Sequence, residues 1–158
     1  MTLIGKGSFS KVYRKGTSPT VIIESTDKAK ECFSFGWGNE SMLFPNIKSL
    51  GGYHYEMKYY PRCTAPKLRL NKLGYERYKL LRKLYTSNKL TDYSKIYEVF
   101  NREIKDTYLR DSLLSALDGL ANYGDKIAFE ISPRNISFTP SGRLILLDVF
   151  FFPEDLKL

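Results

Sequence analysis

Three oxygen-bearing side chains near the end of the sequence could do chemistry together. Glu130 and Asn135 precede the segment Pro140–Ser141–Gly142, which predicts a β-turn, and Asp148 follows it. Such a turn brings Asn135 and Asp148 close, and carboxylate and amide oxygens are the hard ligands that Mg²⁺ takes when it bridges to substrate phosphates. A carboxylate at Glu130 could orient or deprotonate a hydroxyl group. Taken singly, each of the three residues is more typical of turn and capping chemistry, with Asn135 bonding local backbone.

A second group of candidate residues forms a glycine-rich turn near the start of the sequence. Gly5 and Gly7 belong to the segment Gly5–Val12, and the alternation over 2–13 predicts two strands joined by a turn. Glycine lets a backbone approach a phosphate chain closely, and backbone N–H groups can cradle the anion. A glycine pair in a hairpin is more often turn chemistry alone. Because this turn joins two strands, the strand-to-helix dinucleotide motif does not apply.

The elements that must position these residues begin with a β-rich part. Further strands are predicted at 20–24, 48–50 and 53–59. The region 27–44 predicts a weak helix that Gly36 and Gly38 interrupt. Pro61 and Pro66 break the pattern and mark a linker, so we expect the β-rich part to end near residue 60.

The second part of the chain is predicted to be mainly helical. Apolar residues at helical spacing predict a helix over Leu68–Tyr85, which Gly74 weakens. Asp92 is a suitable N-cap for the next helix, and Leu113–Ala121 forms another apolar stripe. Short strands follow at 127–131, 135–138 and 144–149. The order of strands, linker, helices and a terminal β-hairpin predicts an α+β fold.

Length and composition exclude several classes of protein. A chain of 158 residues makes one ordinary domain, and 42% hydrophobic residues exclude wholesale disorder. No apolar run approaches the roughly 18 residues that a membrane span needs. Cys32, Cys63 and the single His54 form no zinc-ligand cluster. We therefore expect a soluble protein with free thiols in a reducing, cytoplasmic compartment.

The positive charge is concentrated in one stretch of the sequence. The net charge is +8, and residues 58–95 hold eleven Lys and Arg against Glu76 and Asp92, so this stretch carries the whole excess. A basic face attracts nucleic acid, acidic proteins or anionic surfaces. It also serves simply to keep a Tyr-rich protein in solution. The interleaved tyrosines could stack on bases, although their helical spacing suits packing better.

Taken together and in order, these segments resemble the protein kinase family. Gly5–Tyr13 resembles the glycine-rich loop, Ile127–Ile136 the catalytic loop, and Asp148–Val149–Phe150 the D-F-G motif. Shorter likenesses occur at Phe44–Ile47, which is similar to the segment after helix C, at Tyr55–Tyr59, which is similar to the strand entering the hinge, and at Leu113–Tyr123, which is similar to helix E. The likeness covers nearly the whole chain, and it rests on order and spacing because no single motif is intact.

The resemblance implies a fold, a set of ligands and roles for particular residues. It implies one kinase-like domain over 1–158, with an antiparallel β-sheet lobe and one helix in 1–60 and a truncated helical lobe ending in a β-hairpin in 61–158. It implies ATP held by Gly5, Gly7 and Val12, Mg²⁺ held by Asn135 and Asp148, and Glu130 in the place of the catalytic Asp. Miniature kinase-like proteins of bacteriophages and of some secreted bacterial effectors are similar, which implies a host protein as partner and the host cytoplasm as location.

The departures from the family pattern are as informative as the matches. In the N-terminal part, Ile23 replaces the strand Lys of the family and Ser10 replaces the third loop glycine. In the catalytic loop, Ala128 and Phe129 replace the His-Arg pair, Glu130 replaces the catalytic Asp and Ser132 replaces the Lys. Phe150 replaces the glycine of D-F-G. The sequence ends at Leu158, soon after Phe150, so we expect no activation segment. Four other lysines are candidates for the missing phosphate-binding cation: Lys6, Lys11, Lys28 and Lys30.

Three functions remain open at this point. The first is an atypical ATP-dependent phosphotransferase directed to Ser or Thr of a protein partner. The second is a catalytically inactive pseudokinase that binds a protein through the basic helical face of residues 58–95. The third is a basic nucleic-acid-binding domain, with contacts through the same stretch.

Overall fold

The computed structural model describes residues 1–36 and 41–156 of the chain. Within these residues, five strands form an antiparallel sheet in the order β1-β2-β3-β5-β4. The strands are β1 (Thr2–Lys6), β2 (Ser10–Arg14), β3 (Thr20–Ser25), β4 (Ile47–Gly51) and β5 (His54–Lys58). Val21, Ile23 and Ser25 of β3 are buried and alternate with more exposed residues, as a strand with one face on the core requires. The predicted strands of this part are confirmed.

The turn between β4 and β5 differs from the prediction by one residue. Tyr53, expected to open the strand over 53–59, instead lies in the two-residue turn with Gly52, and both have positive φ angles of 64° and 57°. Two-residue hairpin turns of this kind require positive φ at both central positions, because only then does the turn twist match that of the strands. Tyr53 adopts the left-handed conformation with its carbonyl accepting a hydrogen bond from Ser25 N–H at 2.9 Å.

One short helix packs against the sheet. Helix α1 (Lys28–Ser34) is capped by Asp27, whose side chain accepts a hydrogen bond from the Ala29 N–H at 2.9 Å. It ends at Phe35, and Gly36 follows with a φ of 101°. The helix is therefore shorter than the predicted region 27–44, and Gly38 lies outside the described residues. Ala29, Cys32 and Phe33 on one face of α1 are buried.

Four further helices are described in the second part. They are α2 (Pro66–Arg69), α3 (Lys72–Ser87), α4 (Tyr93–Glu103) and α5 (Thr107–Leu120). The predicted helix over Leu68–Tyr85 is in fact two, because Leu70 is extended and the Asn71 side chain caps α3 by accepting from Gly74 N–H at 2.8 Å. Asp92 caps α4 as predicted, with its carboxylate accepting from Lys95 N–H at 2.9 Å.

Four short strands follow the helices in the described chain. They are β6 (Ala128–Phe129), β7 (Ile136–Phe138), β8 (Leu144–Leu146) and β9 (Phe150–Phe151). β7 and β8 form the predicted hairpin, whereas the pairing of β6 with β9 was not expected. Buried side chains from the sheet, α1 and the helical part join in one cluster within the described residues. In the described residues the fold is thus α+β, and no helix there is long and apolar enough to cross a membrane.

Candidate functional site

One amide side chain brings the three predicted residues of the C-terminal region together. Nδ2 of Asn135 donates hydrogen bonds to the carbonyl oxygens of Glu130 and Asp148, at 2.9 and 3.2 Å. Its Oδ1 accepts from the Ser132 N–H at 2.7 Å and so closes a capping box around the 3-10 turn Pro133–Asn135. Glu130, Asn135 and Asp148 are therefore neighbours, and the amide fixes the backbone at both of the other residues.

The Asp148 carboxylate meets a lysine from the other part of the chain. Nζ of Lys30, on α1, lies 2.5 Å from Oδ1 of Asp148. The Lys30 side chain is 8% exposed and the Asp148 side chain is 56% exposed, so the ammonium is buried and the carboxylate faces outward. Burial acts to lower the pKa of Lys30, but the carboxylates of Asp148 and Asp27 outweigh it, and the net effect raises that pKa. Lys30 is therefore a cation at neutral pH.

A second carboxyl group lies beside this ion pair. Asp27, the N-cap of α1, is buried, and it lines a small cavity of about 10 Å³ with Lys30, Asp148 and Phe150. Burial raises the pKa of Asp27 to about 7, although the neighbouring Lys30 opposes the rise. Asp27 is the N-cap of α1 and Lys30 is its third residue, so the two are three positions apart and lie on one face of the helix. The cavity is about the size of one water molecule.

The glycine-rich turn reaches the segment that follows Asp148. The ring of Phe9 lies 5.8 Å from that of Phe151, centroid to centroid, and the Phe9 carbonyl accepts a hydrogen bond from Thr26 N–H at 3.3 Å. Gly7 N–H is used within the turn, since it donates to the Ser10 carbonyl at 2.8 Å. The side chain of Val12 packs against the core, and Gly5 lies directly opposite Val12 in the β1-β2 ladder.

The structure distinguishes between the four lysines that are candidates for replacing the missing strand Lys. Ile23, at the expected position, is buried in β3 opposite Tyr55 and carries no charge. Lys6 and Lys11 are exposed at the ends of β1 and β2, and Lys28 is bound by Glu154 and Asp155. Lys30 alone of the four contacts Asp148. The sequence contains no signal that distinguishes it, because the direction of a side chain on a seven-residue helix depends on tertiary packing.

Glu130 presents its side chain to solvent. Its N–H donates to the Val149 carbonyl at 2.9 Å, and the residue lines an open groove of about 530 Å³. The groove lies between β6 and residues 86–91, which include the end of α3, and Phe151 also lines it. A carboxylate in this position can accept a proton from a hydroxyl group that enters the groove.

Asn135 and Asp148 each have a side-chain oxygen with room for a further ligand, and such oxygens suit a magnesium ion that is bound mainly through phosphates. Oδ2 of Asp148 accepts no hydrogen bond from the residues described, and Oδ1 of Asn135 accepts one of the two that an amide oxygen can take. Mg²⁺ is usually held by one or two protein oxygens together with phosphate and water. No group of three or more His, Cys, Asp or Glu side chains within 1–36 and 41–156 could hold a metal ion by itself.

Comparison with known proteins gives no relative. No family model matches the chain, and neither the curated proteins nor the solved structures contain a match. The chemistry of the site must therefore be inferred from its own residues.

Proposed function

We propose that the protein is an atypical kinase-like protein that binds ATP between the glycine-rich turn and Asp148, and that it phosphorylates Ser or Thr of a protein partner. The ion pair between Lys30 and Asp148 carries this proposal, because it supplies a buried cation beside an outward-facing carboxylate. The contact between Phe9 and Phe151 supports it, since it brings the glycine-rich turn to the same end of the molecule as the carboxylate.

Phosphoryl transfer depends mainly on positioning and on neutralising negative charge. In the proposed complex, the Lys30 ammonium takes the part of the strand Lys and binds the phosphates, while Gly5 and Gly7 allow the turn to approach them. Asp148 and Asn135 would hold Mg²⁺, which neutralises charge on the phosphate oxygens. The Asn135 amide joins the backbone of Glu130 to that of Asp148 through its two donated hydrogen bonds.

Glu130 is the proposed partner of the acceptor hydroxyl. Glu130 is exposed and lines the open groove, which a protein segment carrying Ser or Thr could enter. Glutamate is one methylene longer than the aspartate of the kinase pattern. Since a misplacement of about 1 Å can lower a rate roughly a hundredfold, we expect slow transfer.

Thermal unfolding with ATP, with and without Mg²⁺, tests the binding step. Ligand at a hundred times its Kd adds about 2.7 kcal/mol to the free energy of unfolding, and we expect an upward shift of the melting temperature for the wild type. Asp148→Ala should reduce the shift, and Lys105→Met, an exposed lysine of the helical part, should leave it unchanged. A wild type that melts at the same temperature with millimolar ATP would contradict the proposal.

A second candidate function is that of a pseudokinase acting through its basic surface. Lys67, Lys72, Lys79 and Lys83 on α2 and α3 are exposed and form no ion pair with the described residues. Incorporation of labelled phosphate from ATP into candidate partners distinguishes the two functions. It is measured with the wild type and with Asp148→Ala. Incorporation by the wild type alone supports transfer, whereas ATP binding without any incorporation favours the pseudokinase.

The same basic surface leaves nucleic-acid binding as a third candidate. Phosphate contacts of several lysines produce an affinity that falls steeply with salt. Reversing three charges, as Lys72→Glu, Lys79→Glu and Lys83→Glu, should abolish RNA or DNA binding in that case. Failure of the wild type to bind either polymer at low salt would remove this candidate.

A further inference from the structure

The first residue of helix α1 is bound by a short segment that follows β9. The backbone N–H of Lys28 donates to Oδ2 of Asp155 at 3.0 Å. Nζ of Lys28 forms an ion pair with Glu154, and it lies 3.8 Å from Oδ1 of Asp155. The same ammonium lies 5.9 Å from the centroid of the Phe152 ring. We call Phe152–Asp155 the clamp segment.

The clamp segment is itself anchored in the helical part of the molecule. Phe152 is buried, and its ring lies 6.5 Å from that of Tyr123, just after α5. Strand β9, directly before it, pairs with β6. The Asp155 side chain is only 10% exposed, and its N–H donates to the Phe152 carbonyl at 2.9 Å, so the carboxylate that binds Lys28 has a fixed position.

The position of α1 matters because Lys30 follows Lys28 by two residues. A helix of seven residues does not persist by its own propensity, so tertiary contacts determine where it lies. The burial of Ala29, Cys32 and Phe33 fixes one face of α1, while Asp155 fixes its first residue. The Lys30 ammonium makes its 2.5 Å contact with Asp148 from this helix.

We propose that Asp155 is a positioning residue, which holds the start of α1 so that the Lys30 ammonium meets the Asp148 carboxylate. The clamp segment thereby acts on the charged site through the position of α1. The effect of Asp155 on nucleotide affinity rests on the proposed function above, whereas its effect on the position of Lys30 does not.

Chemical modification of Lys30 tests the positioning role without nucleotide. An acylating reagent modifies free amines, and mass spectrometry reports the rate at each lysine. We expect Asp155→Ala to raise the rate at Lys30 about tenfold, because the ammonium leaves its partner for part of the time. Asp155→Asn keeps an acceptor for the Lys28 N–H and should give an intermediate rate.

Asp106→Ala is the matched control. Asp106 also accepts from a backbone N–H at the start of a helix, α5, and it also binds a basic side chain, that of Arg77. A loss of general stability therefore changes both variants, but only Asp155→Ala should expose Lys30. Equal acylation rates of Lys30 in the two variants, or a rate in Asp155→Ala equal to that of the wild type, would overturn the proposal.

ATP titration then extends the test to the site. Asp155→Ala should weaken ATP binding about tenfold and Asp106→Ala less than twofold, at a temperature where both variants are folded. A wild type that binds no ATP contradicts the proposed function, while the acylation rates still decide the positioning role. A wild type that binds ATP and an Asp155→Ala variant that binds equally well contradict the positioning role at the nucleotide site.

Discussion

At the scale of single residues, the buried ammonium of Lys30 is the feature that most needs explaining. Lysine is almost never fully buried unless it is paired, because the charged form loses its hydration. Here Asp148 provides a direct partner, and Asp27 adds a second carboxyl group whose pKa of about 7 reflects its burial. A buried ion pair is weak evidence for stability, since apolar residues often serve as well. Stability alone therefore does not account for this pair.

The two partners of this pair should respond unequally to substitution. Lys30→Met replaces the buried ammonium by an apolar chain of similar length, and it leaves Asp148 hydrated and Asp27 able to take up a proton. We expect it to change the free energy of unfolding by less than about 1 kcal/mol. Asp148→Asn instead leaves the buried ammonium without its closest partner, and we expect a loss of about 1–3 kcal/mol. Urea denaturation at neutral pH measures both, and a larger loss in Lys30→Met would contradict this assignment.

The sequence predicts part of the candidate site at this scale. Glu130, Asn135 and Asp148 could be grouped because a recognisable turn separates them, and the structure does bring them together. Lys30 could only be named among four lysines, and neither Asp27 nor Asp155 could be found. Their significance depends on burial and on contacts between residues far apart in the chain, which no local pattern records.

At the scale of elements, the strands and capped helices were predictable because their signals are local. Alternation marks β1 to β3, Asp92 marks the start of α4, and Pro140–Ser141–Gly142 marks the turn between β7 and β8. The pairing of β6 with β9 was not predictable, since each has two residues and the partners are distant in sequence. The break between α2 and α3 was missed because the side chain of Asn71 begins a new helix inside a continuous apolar pattern.

Gly74 shows how packing overrides helix propensity. It lies in the first turn of α3, where a Cβ would stand 3.1 Å from the Gly142 carbonyl oxygen and 3.2 Å from the Leu144 nitrogen. Alanine gains up to about 1 kcal/mol of propensity over glycine, but overpacking typically costs about 1–3 kcal/mol. We therefore expect Gly74→Ala to lower the free energy of unfolding. Ser115→Ala, at an exposed position of α5, should change it by no more than about 0.5 kcal/mol. Chemical denaturation measures the free energy of unfolding of both variants. A Gly74→Ala variant more stable than the wild type would contradict this expectation and would mean that the β7-β8 hairpin moves to accommodate the added methyl group.

The contact between α3 and the start of α5 should make stability depend on acid. Nε of Arg77 lies 2.7 Å from the Asp106 carboxylate, and this hydrogen bond holds the pKa of Asp106 below its ordinary value, with burial opposing it. Because the pKa is lower in the folded state than in the unfolded chain, the stabilisation is present above the unfolded value and is lost as pH falls through the folded value.

Asp106→Asn isolates this ion pair from the helix cap, since asparagine is also a good N-cap. Between about pH 6 and pH 3, the wild type should lose more stability than Asp106→Asn. Urea denaturation at several pH values measures the difference. Parallel stability curves for the two proteins would mean that the ion pair contributes nothing.

At the scale of the whole molecule, several contacts join the first part of the chain, which holds the sheet and α1, to the second part. Lys30 meets Asp148, Lys28 meets Asp155, Phe9 meets Phe151, and the Leu43 carbonyl accepts from Leu146 N–H at 2.7 Å. Three of these four contacts involve residues 148–155, so this segment and α1 carry much of the connection around the proposed nucleotide site. Five of the basic residues of 58–95 are exposed on α2 and α3, namely Lys67, Arg69, Lys72, Lys79 and Lys83, whereas Lys89 lines the groove beside Glu130.

Calorimetric titration with ATP of the wild type, Lys30→Met and the control Lys105→Met tests the central claim most directly. Loss of a charge-assisted contact costs about 1.5–3 kcal/mol, so Lys30→Met should bind ATP at least about tenfold more weakly than the wild type. Lys105→Met should bind as the wild type does. Equal ATP affinity in all three proteins would show that Lys30 does not contact the phosphates, and absence of binding to the wild type would contradict a nucleotide site altogether.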